Sequence, residues 1–177
     1  MFIRGKERIA VVWPRFQVPM EGFVVAEHRG IFEARIAANA DRVLDLFLEL
    51  TRRLQPRVSV HVEDVRTNRR WNGAELPLDE ARAEVRRIRS VLAAHAGVEC
   101  AFADDADQVT LSAHLELFVY GLTERWYYFL RDLGLPRYRS LSVESWRPYR
   151  DEFPPAPAAE TAGGELVSRL RLIEHAS

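Results

Sequence analysis

Two stretches of the chain follow the same order of strand, strand, helix and strand, and this approximate duplication constrains the fold more than any other feature of the sequence. Residues 59–66 (SVHVEDVR) align with residues 140–147 (SLSVESWR), with serine, valine, glutamate and arginine at identical positions. Since any two amphipathic strand–helix–strand segments share part of their apolar pattern, chance similarity is the alternative explanation. The duplication predicts two ββαβ repeats, at about 23–66 and 98–147, joined by a helix over 78–96.

The spacing of apolar residues predicts the type of each element. Between residues 41 and 54 they recur every three or four positions, as on the buried face of a helix. Apolar and polar residues alternate over 58–63 and over 109–120, which is typical of half-buried strands. Residues 67–77 contain an asparagine–glycine turn signal and predict a loop. We therefore expect an α+β fold, with a largely antiparallel sheet, helices packed on one face and a pseudo-twofold arrangement of the halves.

The length of the chain fits one domain followed by a tail. With 177 residues, 47% of them apolar, the chain is long enough to bury one core. We expect a single α+β domain over 1–150, a linker rich in proline, alanine and glycine over 151–164, and a short C-terminal helix or tail over 165–177. A helix that short is not stable alone in water. It therefore docks on a partner, on a second copy or on its own body, or it stays frayed.

Charge, cysteine content and hydropathy exclude several classes of protein. A net charge of −1 does not supply the basic surface that binding to nucleic acid requires. Cys100 is the only cysteine, so no internal disulfide or thiolate metal cluster can form, and its alternation with apolar neighbours places it in the core. No run approaches the roughly 18 apolar residues of a membrane span. We expect a cytoplasmic protein without a cofactor, and the near absence of lysine is typical of a GC-rich bacterial genome.

A groove between the two repeats is the expected place for a ligand, because ligands bind preferentially in clefts between packed units. Glu33, Glu63, Glu116 and Glu144 occupy matched positions in the two halves, and Tyr120 ends the strand that follows Glu116. Paired carboxylates can take acid and base roles when their environments differ. The simpler interpretation is that these glutamates are surface charges.

Two His-x-Glu motifs suggest a metal site. His61 with Glu63, and His114 with Glu116, place an imidazole and a carboxylate on the same side of a strand, since side chains two apart point the same way. On neighbouring strands, these groups would form a histidine–carboxylate site of the kind that binds iron or another divalent metal. The alternative is a solvated sheet face.

Aromatic and arginine residues suggest a surface for a protein partner, since these residue types dominate binding hot spots. Four consecutive aromatic residues over 126–129 are more than one buried helix face accommodates, which places a tyrosine near the surface. Trp71 either adds to this surface or folds back over the neighbouring helix. The partner-binding candidates are Arg69, Arg70, Trp71, Tyr127, Tyr128, Leu166, Leu170 and Ile173.

Three hypotheses for function follow from these patterns. The leading one is a non-catalytic cytosolic bacterial module that binds another protein or itself, as an adaptor, a regulatory subunit or an immunity-type protein does. It is favoured because the sequence lacks a phosphate-binding glycine loop, a nucleophile elbow and a Cys-x-x-Cys pair. The second is a small-molecule binder or hydrolase that uses the groove between the repeats. The third is a metal-dependent enzyme built on the two His-x-Glu strands.

Overall fold

A computed structural model describes residues 21–141 and 153–175, which form an α+β fold with one eight-stranded sheet and four helices. The strands are β1 Gly22–His28, β2 Ile31–Ala37, β3 Arg57–Asp64, β4 Arg69–Pro77, β5 Val98–Ala103, β6 Asp107–Leu111, β7 Leu117–Gly121 and β8 Ile173–His175. The helices are α1 Ala40–Thr51, α2 Leu78–His95, α3 Arg125–Asp132 and α4 Pro157–Arg169. The strand order is β1-β2-β7-β6-β5-β3-β4-β8, and every neighbouring pair is antiparallel. The expected α+β class and the antiparallel sheet are therefore confirmed.

The core lies on one side of the sheet, where alternate strand residues meet the apolar stripes of the helices. Val60 and Val62 of β3 are at most 1% exposed, and α2 buries Val85 among its apolar residues. Phe47 of α1 and Phe102 of β5 meet edge to face, with ring centroids 5.3 Å apart. Because side chains alternate along a strand, this packing directs the intervening polar residues of the same strands to the opposite face.

The single long strand predicted over 109–120 is instead the hairpin β6–β7. The hydroxyl oxygen of Ser112 accepts hydrogen bonds from the backbone N–H groups of His114 (3.3 Å) and Glu116 (3.1 Å), and Leu115 has a φ of 59°. These features form a tight turn. Apolar alternation continues on both sides of the turn, so the sequence pattern alone does not show the break.

The loop predicted over 67–77 is also wrong, because these residues form most of β4. This strand pairs with β3 along its length, with a register shift between Val58 and Val60 where Glu75 takes a φ of 56°. Gly73, which suggested a turn, lies inside the strand. A side chain at this position would collide with Leu172, so the glycine makes room for the C-terminal segment.

The C-terminal segment docks on the body of its own chain. Helix α4 begins at Pro157, so the linker predicted over 151–164 is wrong for residues 157–164 and the helix does not begin at residue 165. Helix α4 packs against α2, and Ala159, Ala162, Gly163 and Leu166 are its buried residues. Beyond the helix, β8 pairs with residues 70–72 of β4.

The helix predicted over 78–96 is confirmed as α2, whereas the duplication stays a prediction. The second aligned segment, 140–147, lies mostly outside the described residues. In the described part, the hairpin β1–β2 precedes α1 and the hairpin β6–β7 precedes α3. The two hairpins are adjacent in the sheet, because β2 pairs with β7. Strand β5 has no counterpart in the predicted repeat that contains β1.

The docking of α4 can be tested at Leu166, which is 1% exposed. Leu166→Ala should lower the free energy of unfolding by about 2–4 kcal/mol, because truncating a buried leucine loses apolar burial and leaves a cavity. Urea unfolding measures the change. Glu165→Ala, at the exposed neighbouring position, is the matched control and should have little effect. Equal stability of the two variants would contradict the packing of α4 on α2.

Candidate functional site

The face of the sheet opposite the core carries most of the chemically active side chains of the strands. Strand residues paired in register point to the same side, so the pairings Glu33 with Tyr120 and Glu63 with Glu99 place all four on this face. We refer to it as the polar face. Its residues include Glu33, Arg35, Ser59, His61, Glu63, Arg70, Asn72, Glu99, Gln108, Thr110, Phe118 and Tyr120.

Two glutamates face each other across β3 and β5. Glu63 and Glu99 are direct cross-strand partners, an arrangement that is unfavourable for like charges. Arg70 on β4 compensates one of them, with its Nε 3.0 Å from Oε2 of Glu63. Glu99 is half-buried, and this burial, with a smaller contribution from the charge of Glu63, raises the pKa of Glu99. The two carboxyl groups therefore differ in environment, because Glu63 is in an ion pair whereas Glu99 is ionised less readily than an exposed glutamate.

A histidine with a defined hydrogen-bond partner lies on the same strand as Glu63. Nδ1 of His61 is 2.6 Å from the amide oxygen of Asn72 on β4. An amide oxygen only accepts hydrogen bonds, so Nδ1 carries the hydrogen. In the neutral imidazole, Nε2 is then the acceptor. Asn72 thus fixes both the orientation of the ring and the atom that is available to a ligand.

His61, Asn72 and Glu99 border a groove of about 930 Å³ on the polar face. The residues that line it over β6, β5, β3 and β4 include Ser59, His61, Asn72, Glu99, Ala101 and Gln108. Toward the end of α4 the groove is bounded by Arg169, Leu170 and Arg171. We call it the polar-face groove. The volume is within the range of small-molecule sites, and the lining combines apolar side chains with polar groups, as such sites do.

Of the predicted ligand-groove residues, Glu33, Glu63 and Tyr120 lie on the polar face, and Glu116 lies in the turn just before β7. Nε of Arg35 donates to Oε1 of Glu116 at 2.7 Å, and Glu116 is only 2% exposed. Burial raises the pKa of Glu116, while Arg35 opposes this shift. Burial also raises the pKa of Tyr120, with a further contribution from the neighbouring Glu33. Glu116 is therefore engaged in a buried ion pair, and the ring of Tyr120 stacks beside Phe118 with centroids 6.4 Å apart.

Among the predicted ligand-groove residues, Glu63 is next to the polar-face groove, because it pairs directly with Glu99, which lines the groove. Glu144 lies outside the described residues. The sequence prediction missed Glu99, Asn72 and Gln108 as groove residues and considered His61 only as a metal ligand. One signal was present, since the apolar residues Val98 and Cys100 on either side of Glu99 point into the core.

The two His-x-Glu motifs do not lie on neighbouring strands. His61 is on β3, whereas His114 is in the turn between β6 and β7, and β5 and β6 separate β3 from β7. The ring of His114 packs against Phe153 at 5.2 Å, its Nδ1 is buried without a hydrogen-bond partner among the described residues, and burial lowers its pKa. Over residues 21–141 and 153–175, no three histidine, cysteine, aspartate or glutamate side chains converge on a metal position. The strand arrangement that the metal hypothesis requires is therefore wrong.

Cys100, predicted to lie in the core, is 1% exposed, and burial raises the pKa of its thiol to about 12. A thiol with this pKa remains protonated at neutral pH, so Cys100 acts as an apolar core residue.

Several predicted partner-binding residues are engaged within the chain. Trp71 is only 7% exposed and belongs to the core, so its prediction as a surface anchor is wrong. Leu166 and Leu170 are buried where α4 docks. Arg69 forms a 2.7 Å salt bridge with Glu174 of β8.

The remaining partner-binding candidates are at the surface. Tyr128 is 56% exposed and Ile173 is 69% exposed. Tyr127 is half-buried, packs edge-on against Phe23 at 6.0 Å, and has the guanidinium groups of two arginines near its ring. Tyr127 and Tyr128 line a second groove of about 660 Å³ that also contains the exposed Leu122.

No protein family model, curated protein or solved structure matches this chain. Among the described residues, none of the helices has the length and apolar character needed to cross a membrane.

The environment of Glu99 predicts a pH-dependent stability. A carboxyl group whose pKa is higher in the folded than in the unfolded chain favours folding at low pH, and this contribution is lost as the pH rises through the folded pKa. Glu99→Gln removes the cost of ionising Glu99 in its half-buried position. The variant should therefore unfold at a higher temperature than the wild type at pH 7, and the difference should disappear near pH 4, where about half or more of such carboxyl groups are protonated in either state.

Thermal unfolding followed by circular dichroism at both pH values measures this effect. Glu165→Gln, which changes an exposed carboxylate on α4, is the control and should match the wild type at pH 7 and at pH 4. A Glu99→Gln variant that is less stable than the wild type at pH 7 would contradict the inferred environment.

Proposed function

We propose that the protein binds a small organic molecule in the polar-face groove. The observation that carries this proposal is the combination, in one concave site, of a half-buried carboxyl group, an imidazole fixed by an amide, and a further amide at Gln108. Polar groups with set orientations over a small apolar floor are what a specific ligand site requires.

The like-charge pair Glu63–Glu99 also supports a functional interpretation. Two glutamates directly opposite each other cost stability, and the fold retains them in register at the edge of a groove. Unfavourable arrangements such as paired like charges are expected at functional sites, where selection for function outweighs selection for stability.

This proposal ranks above the partner-binding hypothesis because of where the residues lie. Trp71, Leu166 and Leu170 are buried by contacts within the chain, so they no longer support binding to another protein. Tyr128 and Ile173 are exposed, but they lie at separate places, on α3 and on β8.

The position of the groove also bears on the proposed duplication. If β1–β2–α1 and β6–β7–α3 are equivalent units, their centre lies between β2 and β7, beside Glu33 and Tyr120. The polar-face groove lies to one side of that centre, over β6, β5, β3 and β4. We therefore place the ligand where β3 of the first predicted repeat pairs with β5 of the second, and not at the centre between β2 and β7.

Amide chemical-shift mapping with a library of cationic, neutral and anionic fragments tests the proposal. Fragments that bind should shift the signals of residues lining the polar-face groove, above all those of His61, Glu99, Ala101 and Gln108. Ser59→Trp places a large side chain at an exposed position of the groove and should abolish these shifts.

The control is Ser90→Trp, at an exposed position of α2 away from the groove, which should leave fragment binding unchanged. A library that produces no shifts in the groove, or produces them only around Tyr127 and Tyr128, would contradict the proposed site.

A further inference from the structure

We propose that the ligand of the polar-face groove presents a planar cationic nitrogen group, an amidinium or a guanidinium, with Glu99 as its counter-ion and Nε2 of His61 as a second acceptor. This inference rests on the proposed function and specifies the chemical class of the ligand.

The first argument is the difference between the two opposed glutamates. Glu63 has Arg70 as its partner at 3.0 Å. Within residues 21–141 and 153–175, no side-chain hydrogen bond or salt bridge joins Glu99 to another residue, although its carboxyl group borders the groove. The charge of Arg70 reaches Glu99 without a direct contact. A ligand cation placed against Glu99 would give this carboxylate the direct ion pair that Arg70 gives Glu63, and would also relieve the repulsion between the two.

The second argument is that the groove presents several acceptors. His61 donates through Nδ1 to Asn72, which leaves Nε2 as its acceptor. Nε2 of Gln108 donates to the hydroxyl oxygen of Thr110 at 2.9 Å, which leaves the amide oxygen of Gln108 as its acceptor. Glu99 and His61 are diagonal neighbours across β5 and β3, so one planar group can donate to both. Gln108 lies opposite Ala103, four residues farther along β5, and can accept from a more distant part of the ligand. An amidinium or guanidinium group matches this arrangement because it offers several N–H donors in one plane.

The third argument is the small floor of the groove. Ala101 of β5 pairs with His61, and the next alanine on this face, Ala103, pairs with Gln108. Both alanines line the groove, so the sheet surface between Glu99 and Gln108 lacks large side chains. A flat group can lie against this surface and direct its edge toward the acceptors.

The arginines near the groove do not oppose a ligand cation placed beside Glu99. Arg70 is paired with Glu63, and Arg169 lies 3.7 Å from a carboxylate oxygen of Glu84. Arg169 and Arg171 border the groove at the end of α4, on the far side of β3 and β4 from Glu99.

The test uses three probes that share one ring and differ in charge: benzamidine, benzamide and benzoate. Each is titrated into the full chain at pH 7 while the amide signals of the groove residues are followed. Benzamidine should shift these signals and bind at least about tenfold more tightly than benzamide or benzoate, because a hydrogen-bonded ion pair contributes more than a neutral contact. Its affinity should fall on acidification, since protonating Glu99 removes the counter-ion.

Glu99→Gln should weaken benzamidine binding by about tenfold or more, whereas Glu165→Gln should leave it unchanged. Thermal unfolding of each variant confirms that it is folded at the temperature of the titration. Benzamide or benzoate binding in the groove as tightly as benzamidine would overturn the inference and leave the proposed function standing. If none of the three probes shifts the groove signals, the inference is also overturned, and the fragment library then decides the proposed function separately.

Discussion

The antiparallel pairing of β3 with β5 is the contact on which the rest of the structure depends. On one side of this pair, Val62 and Cys100 are partners in the core and are at most 1% exposed. Because the side-chain period of a strand is two, shifting the register by one residue would move this entire set to the opposite face. The core therefore fixes the register, and the register places Glu63 opposite Glu99. The unfavourable proximity of the two carboxyl groups follows directly from the burial of their neighbours, and Arg70 on β4 compensates one of them.

A second constraint, centred on Arg66, joins the end of β3 to α2 and to the C-terminal segment. Its guanidinium group donates to the carbonyl oxygens of His95 and Ala96 at the C-terminus of α2, where backbone acceptors lack helical partners. Its Nε donates to the carbonyl oxygen of Pro154 at 2.9 Å. Gly97 has a φ of 81°, and a Cβ at this position would collide with the Arg66 guanidinium. One arginine thus caps a helix and holds the segment that leads into α4.

Elements that follow from local periodicity could be predicted from the sequence. Elements that depend on contacts between residues distant in the chain could not. Alternation identified β3, and the helical spacing identified α2. Gly73 in β4 and Gly163 in α4 suggested a turn and a linker, because glycine is locally unfavourable in regular elements. In the fold, Gly73 sits at a packing contact with Leu172, whereas Gly163 lies on the buried side of α4. The contact at Gly73 and the docking of α4 as a whole override the local preference, and neither is visible in the spacing of residues.

The polar-face groove exists because the C-terminal strand covers only part of β4. Strand β8 pairs with three residues of β4, Arg70 to Asn72, and the chain enters β8 through a turn at Arg171, where φ is 52°. The register shift near Val60 and the positive φ of Glu75 bend the uncovered part of β4, and such bulges discourage further strand pairing at a sheet edge. The groove opens beside this bend and continues onto β3 and β5. The same edge that resists the addition of another strand therefore leaves an accessible concave surface, which is why we assign this region to a small ligand and not to an extended peptide.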